Sequence, residues 1–220
     1  MPEKPAPVGR FRRRPEARPE ELLEAALTVF GEQGYRATTL EEVAKRAGVS
    51  KGTIYLYFAS KDDLFRAMVE KNVVAMIELA ETRVREHTGT ASALLDSMIR
   101  TMWSALSRSE MVCLTRLVQS ELPQFPEIQR YYWEHVIQRH RRLLRTIVER
   151  GIASGEFRPE TLAIVPTMVP SLMVHLNHVR ALFGGLDPDA PTPEAQVESI
   201  LSLVFEGIRQ RPTASRRKQA

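Results

Sequence analysis

One cysteine in 220 residues, Cys113, rules out an intrachain disulfide and any cysteine-built metal cluster. That usage fits a reducing compartment. Set among Met111, Val112 and Leu114, Cys113 reads as a small core residue, not a nucleophile. None of the five histidines has a Glu three residues before it, which excludes the ligand pairs of a di-iron bundle. His175-x-x-His178 brings two imidazoles to one helix face with no carboxylate nearby, a poor metal site. No Gly-rich loop cradles phosphate, and no Ser sits in a nucleophile elbow. No catalytic residue, metal or cofactor is therefore assigned, and an all-helical metal or ligand-binding enzyme is the weaker alternative. Strand-like alternation and internal repeats are missing too. The most apolar stretch, Ala163–Val174, is too short to span a bilayer and contains Pro166 and Pro170. The N-terminus lacks the apolar run of a secretory signal. A cytoplasmic protein with no membrane partner is expected.

What is present is unevenly placed charge. The formal net charge is only +4. Residues 1–18 hold six Lys/Arg against two acids, and residues 209–220 hold five Lys/Arg and no acid. The body between is therefore net acidic, except for residues 36–61, with five basic residues against two acids. Positive charge confined to two ends and one internal window suits contact with a polyanion. Residues 1–18, rich in Pro and Arg, read as a disordered basic arm. Its Arg10-Phe-Arg-Arg-Arg14 cluster is a candidate for added groove or phosphate contacts. Residues 211–220 read as a basic tail.

Helical spacing dominates the remainder. Pro19 suits a first helical position, Leu23, Ala26, Leu27 and Phe30 come next on one face, and Gly34 can end the helix. Thr39-Leu-Glu-Glu42 is a capping box, and Ser60-Lys-Asp-Asp63 repeats its pattern at the start of a long helix reaching about His87. Amphipathic segments succeed it at about 91–108, 110–121, 125–153 and 161–184, and Thr192-Pro193-Glu194 opens a last helix to about Gln210. Pro166 and Pro170 require either a kink in the eighth helix or a later start. The expectation is an all-α chain of about nine helices.

The most informative stretch is Thr38–Lys61, TTLEEVAKRAGVSKGTIYLYFASK. It encodes two short helices with Gly48-Val49 at the turn, packed through Val43, Ala44, Val49 and Ile54. The second helix then exposes Lys51, Gly52, Thr53, Tyr55 and Tyr57. A cation, a bare backbone, a hydroxyl and two phenols suit a DNA groove, which an α-helix fits.

The run GVSKGTIYLYFASKDDL resembles the signature of TetR-type transcriptional regulators, and AALTVFGEQGYRATTLEEVAKRAG resembles the same family's first two helices. The resemblance covers about residues 19–66. The segment SELPQFPEIQRYYWEHVIQRHRRLLRTIVERGIASGEFRP is similar to a C-terminal subtype found in regulators of efflux and stress genes. The resemblance implies a three-helix helix-turn-helix DNA-binding domain at 19–66 and a helical ligand-binding and dimerisation domain at 67–210. It implies a homodimeric regulator of a palindromic operator in double-stranded DNA, a repressor before an activator, released by a small, largely apolar effector. Among Thr38, Thr39, Ser50, Lys51, Gly52, Thr53, Tyr55, Tyr57 and Lys61, all candidate DNA contacts, it gives Thr39 a cap and a phosphate. Lys51, Gly52 and Thr53 receive base contacts, and Tyr55, Tyr57 and Lys61 the DNA backbone.

The family further implies a pocket enclosed by helices five to eight, and the sequence supplies apolar walls for it. The candidates are Met102, Trp103, Leu106, Phe125, Tyr132, Val136, Met168, Leu172 and His175. Val197, Leu201, Val204, Phe205 and Ile208 give the last helix more apolar surface than a terminal helix needs, and are expected at the dimer interface.

Overall fold

The computed structural model of the chain describes residues 19–209; the basic arm and tail lie outside the described residues. The chain divides between Met68 and Val69 into two compact units. Nine helices are found among the described residues, with π-helical and 3-10 turns set within or beside three of them.

The first unit begins with α1, Pro19–Ala37, whose backbone leaves helical geometry at Gly34 (φ 81°). Then come α2, Leu40–Arg46, and α3, Lys51–Tyr57. Thr39 caps α2 in the expected box: its hydroxyl accepts from the Glu42 N–H, and the Glu42 carboxylate accepts from the Thr39 N–H. Gly48 makes the turn between them at φ +72° with nothing near its missing side chain. It is there for its backbone freedom, not for space. Leu22, Phe30, Tyr35, Val43, Ala44, Ile54, Leu64 and Phe65 form one small core. Tyr35 stacks on Phe30 and meets Phe65 edge-on.

Helix α4 begins at Lys61–Val69 and continues through a π-helical turn, Glu70–Val74, into Ala75–Glu86. The second unit adds α5 (Ala91–Leu106) and α6 (Ser109–Glu121, with a 3-10 turn at Leu122–Gln124). Helix α7 runs Pro126–Tyr132, a π-helical turn Trp133–Ile137, and Gln138–Ala153. Helices α8 (Thr161–Phe183) and α9 (Pro193–Ile208) complete the unit. Pro166 and Pro170 lie inside α8, which starts before both of them. At 23 residues α8 is long and apolar enough to cross a membrane. Within the second unit it lies along α7 and also meets α5 and α6. Its buried Asn177 donates to the Leu106 carbonyl at 2.9 Å.

Polar ties lock the second unit. Arg139 forks onto the Glu81 carboxylate at 3.0 and 2.7 Å, joining α7 to α4. Glu156 accepts from the N–H groups of Ala91 and Ser92 at 3.0 and 2.9 Å, at the positive end of α5. Burial works against that carboxylate's charge, but hydrogen bonds from Ser92, Ser154 and Ala91 outweigh it and hold its pKa at about 2.

One expectation fails here. Val197, Leu201, Val204 and Ile208 are buried within the subunit and Phe205 is half-buried, so this face of α9 is core and not a free interface. Sequence spacing marks an apolar face without saying which neighbour covers it, and this one is covered from within the same chain.

Candidate nucleic-acid interface and ligand cavity

In the first unit, Ser50 caps α3 by accepting from the Thr53 N–H at 3.2 Å, and its hydroxyl lies 2.8 Å from that of Thr53. With Ile54 turned into the core, Lys51, Gly52, Tyr55, Leu56 and Tyr57 are left exposed. Helix α2 supplies their anionic partner. The Lys51 ammonium lies 2.6 Å from the Glu41 carboxylate, and the Tyr55 hydroxyl donates to the same oxygen at 3.0 Å. The hydrogen bond from Lys51, helped by the local backbone and Tyr55, lowers the Glu41 pKa to about 2. The same contact raises Lys51 and Tyr55 above their ordinary values.

Two sequence candidates do not belong to this face. Thr38 is 2% exposed and donates to the Gly34 carbonyl at 2.7 Å. It ties down the end of α1. Lys61 donates to the carbonyls of Tyr35 and Arg36 at 2.7 and 3.1 Å and lies over the Tyr35 ring. A cation at the last carbonyls of a helix is a cap, and its charge is already engaged. Leu56 and Glu41 were missed. Leu56 is 84% exposed, and an apolar residue inside a short helix is easily read as core.

The second unit encloses a cavity of about 390 Å³, within the usual range for small-molecule sites. Helices α4 to α8 all contribute to it. Its walls are mostly apolar and include four methionines, Met76, Met98, Met102 and Met111. Polar groups are few and spaced, among them Thr101, Gln119, Tyr132, His140, Arg141 and His175. Burial pushes the Tyr132 phenol up to about 12 and holds His140 below the ordinary imidazole value. Both are neutral at pH 7.

Met102, Leu106, Tyr132, Val136 and His175 line the cavity as expected. Trp103, Phe125, Met168 and Leu172 do not. Trp103 falls outside the arc of α5 that Met98, Thr101, Met102, Ala105 and Leu106 present to the cavity. Trp103 is buried with its indole N–H donating to the Pro193 carbonyl at 2.7 Å. Met168 is 62% exposed, and Leu172 lies one turn on along the same side of α8. The cavity-facing residues of α8 are Pro166, Thr167, Pro170, Ser171, Val174 and His175. Phe125 is half-buried just ahead of α7.

A second hollow, of about 330 Å³, shares Arg141, Pro166 and Thr167 with the first. Trp133, Gln138, Arg142, Arg145, Leu162 and Ala163 complete it. Sequence reasoning placed these arginines in the amphipathic segment at 125–153 and gave them no role. The run RHRRLLR at 139–145 was the available signal.

Residues 22–68 match the bacterial regulatory proteins of the tetR family, and residues 85–212 match the tetracyclin repressor-like C-terminal domain. The chain belongs to the TetR family. Among its relatives is the fatty acid metabolism regulator protein of Bacillus subtilis, 30% identical over 138 residues, covering 63% of this chain and 70% of that one. Another is the transcriptional repressor KstR2 of Mycolicibacterium smegmatis, 28% identical, covering 66% and 70%. The solved structure of FadR from Bacillus subtilis in complex with stearoyl-CoA is similar with a TM-score of 0.73 and 26% identity, over 87% of this chain and all of that one. This TetR-family protein is a ligand-responsive transcriptional regulator of the repressor type. Both of these relatives are named as regulators.

Proposed function

We propose that this TetR-family protein acts as a homodimer that occupies a palindromic operator and releases it when a ligand with a long apolar chain enters the α4–α8 cavity. The observation that carries this reading is the cavity itself. Its methionine-rich wall can re-pack around a flexible chain, and its polar groups are few. Similarity to the fatty acid metabolism regulator of Bacillus subtilis, and to a FadR structure from that organism that holds stearoyl-CoA, supports the ligand class. The DNA contacts fall to Lys51, Gly52, Thr53, Tyr55, Leu56 and Tyr57, with Thr39 and Ser50 capping the two helices that present them. A two-fold dimer would set two such helices about 34–36 Å apart or somewhat more, matching operator half-sites. Release then requires the ligand to prefer the conformation that binds DNA poorly, and the effect cannot exceed that preference.

The test is binding of the purified protein to genomic fragments, including DNA upstream of its own gene, at two salt concentrations. Tight, fragment-selective binding with a log–log salt slope of several units is expected. Palmitate or palmitoyl-CoA should release the fragment, and Met102→Trp, which fills the cavity, should abolish release while leaving operator binding intact. Weak binding that is equal on all fragments, from protein shown to be free of ligand, would overturn the assignment.

A further inference from the structure

The arginine-lined hollow beside the cavity is not needed to hold an apolar chain. Arg141, Arg142 and Arg145 all face it from α7, Arg141 and Arg145 being one helical turn apart. Counter-charge is scarce. Among the described residues neither Arg141 nor Arg142 has a carboxylate within ion-pair distance, and Arg145 has one exposed contact at 3.7 Å, to Glu149. Arg142 reaches only the Gln138 side-chain oxygen, at 3.5 Å. Three guanidinium groups converging on one concavity repel each other unless an anion joins them. Trp133 is 43% exposed at the same place, with the Arg141 guanidinium 4.9 Å from its ring centroid. An exposed indole plane beside guanidinium forks suits a flat aromatic base carrying phosphates. Arg141 also lines the apolar cavity, so it marks where the two compartments meet.

We propose that this hollow is the headgroup site for a phosphate-rich, nucleotide-bearing ligand of the coenzyme A type, whose acyl chain occupies the adjoining cavity. This rests on the apolar-chain reading above and adds what the chain is attached to. A free fatty acid would bring one carboxylate, enough for one guanidinium. A thioester brings several phosphate oxygens and an adenine ring, enough for all three arginines and the indole. The thioester, not the acid, is therefore the ligand that uses both compartments.

Calorimetric titration with palmitoyl-CoA, palmitate and free coenzyme A tests this on the full-length protein. Palmitoyl-CoA should bind at least about ten-fold more tightly than palmitate, a margin that shrinks at high salt. In the variant Arg142→Gln, Arg145→Gln, that margin should collapse while palmitate affinity stays unchanged. Arg142→Lys, Arg145→Lys keeps the charge but loses the fork, and should fall between. Circular dichroism confirms that the variants fold. Equal affinity for palmitate and palmitoyl-CoA, or an unchanged margin in the Gln variant, overturns the headgroup site and leaves the apolar-chain reading standing. If palmitoyl-CoA binds no better than free coenzyme A, and palmitate not at all, the arginine site stands and the apolar-chain reading fails. Binding of none of the three overturns both.

Discussion

Glu41 is placed where an incoming phosphate would have to compete. It holds both Lys51 and Tyr55, two of the side chains best placed to meet DNA, and all three are solvent-exposed or nearly so. Exchanging that carboxylate for a phosphate leaves Glu41 unpaired beside a polyanion. Glu41→Gln should therefore raise operator affinity several-fold and steepen the log–log salt slope by up to about 0.9, the amount for one more uncompensated contact. Titration of a labelled operator across a salt series reads both. Affinity and slope equal to wild type would show that the Glu41 contacts play no part in the DNA complex. A second residue-scale effect concerns pH. Burial holds His140 below its unfolded value, so below about pH 6.5 the unfolded chain binds the proton more readily than the folded one. Stability from this site is present at neutral pH and is lost as pH falls through the unfolded value towards the folded one. His140→Gln should flatten the decline in melting temperature between about pH 7 and 5. At this scale the sequence was only partly legible. The caps Thr39 and Ser50 announce themselves by local spacing. Thr38 and Lys61 sit in the same motif, yet both face α1 carbonyls: Thr38 that of Gly34, four residues back, and Lys61 that of Tyr35, which only the folded chain brings near.

Helix limits were more legible than helix faces, because capping is local and facing is not. Thr39, Ser50 and Thr192 each accept from a backbone N–H three residues on, as their spacing announces. The π-helical turns at Glu70–Val74 and Trp133–Ile137 leave no comparable sign, since one extra residue in a turn needs no special residue type. Each π-helical turn also rotates the downstream part of its helix relative to an unbroken 3.6-residue pattern. The junction after α7 shows tertiary packing deciding a residue. Gly151, in the last turn of the helix, faces Phe157, which is 1% exposed, and a Cβ at Gly151 would overlap the Phe157 ring. The backbone N–H groups of Glu156 and Phe157 both donate to the Gly151 carbonyl, at 2.8 and 2.9 Å, so ring and backbone are held together. Gly151→Ala gains helix propensity of about 1 kcal/mol but forces the ring to move. A net loss of about 1–3 kcal/mol is expected from overpacking. Phe157→Leu made in that background should cost less than it does alone, because the two substitutions share one contact. Additive losses in thermal unfolding would show that the close approach carries no strain.

At the scale of the whole molecule, the proposed dimer depends on which faces are left uncovered. With the Val197–Ile208 stripe of α9 spent on its own subunit, exposed apolar surface concentrates elsewhere. Along α8, Ile164, Met168, Val179, Leu182 and Phe183 trace a helical stripe that continues to Leu186, and Leu203 is exposed on α9. Only 28% of the most apolar window of α8 is buried. An exposed apolar stripe of that length suits an interaction surface. Sequence spacing marked the Val197–Ile208 face of α9, which its own subunit covers, and not the exposed Leu203 on the same helix. A two-fold contact through these residues presents the same stripe on both copies, so a charge added at one position is added twice and opposes itself. Phe183→Glu combined with Leu203→Glu should therefore yield a folded monomer at micromolar concentration. Sedimentation would read the mass, and circular dichroism would confirm retained helix. Operator affinity should fall by orders of magnitude in the same variant, since one recognition helix reads only half of a palindrome. A monomer that keeps full operator affinity would separate DNA binding from dimerisation, and a variant that stays dimeric would move the interface off this stripe.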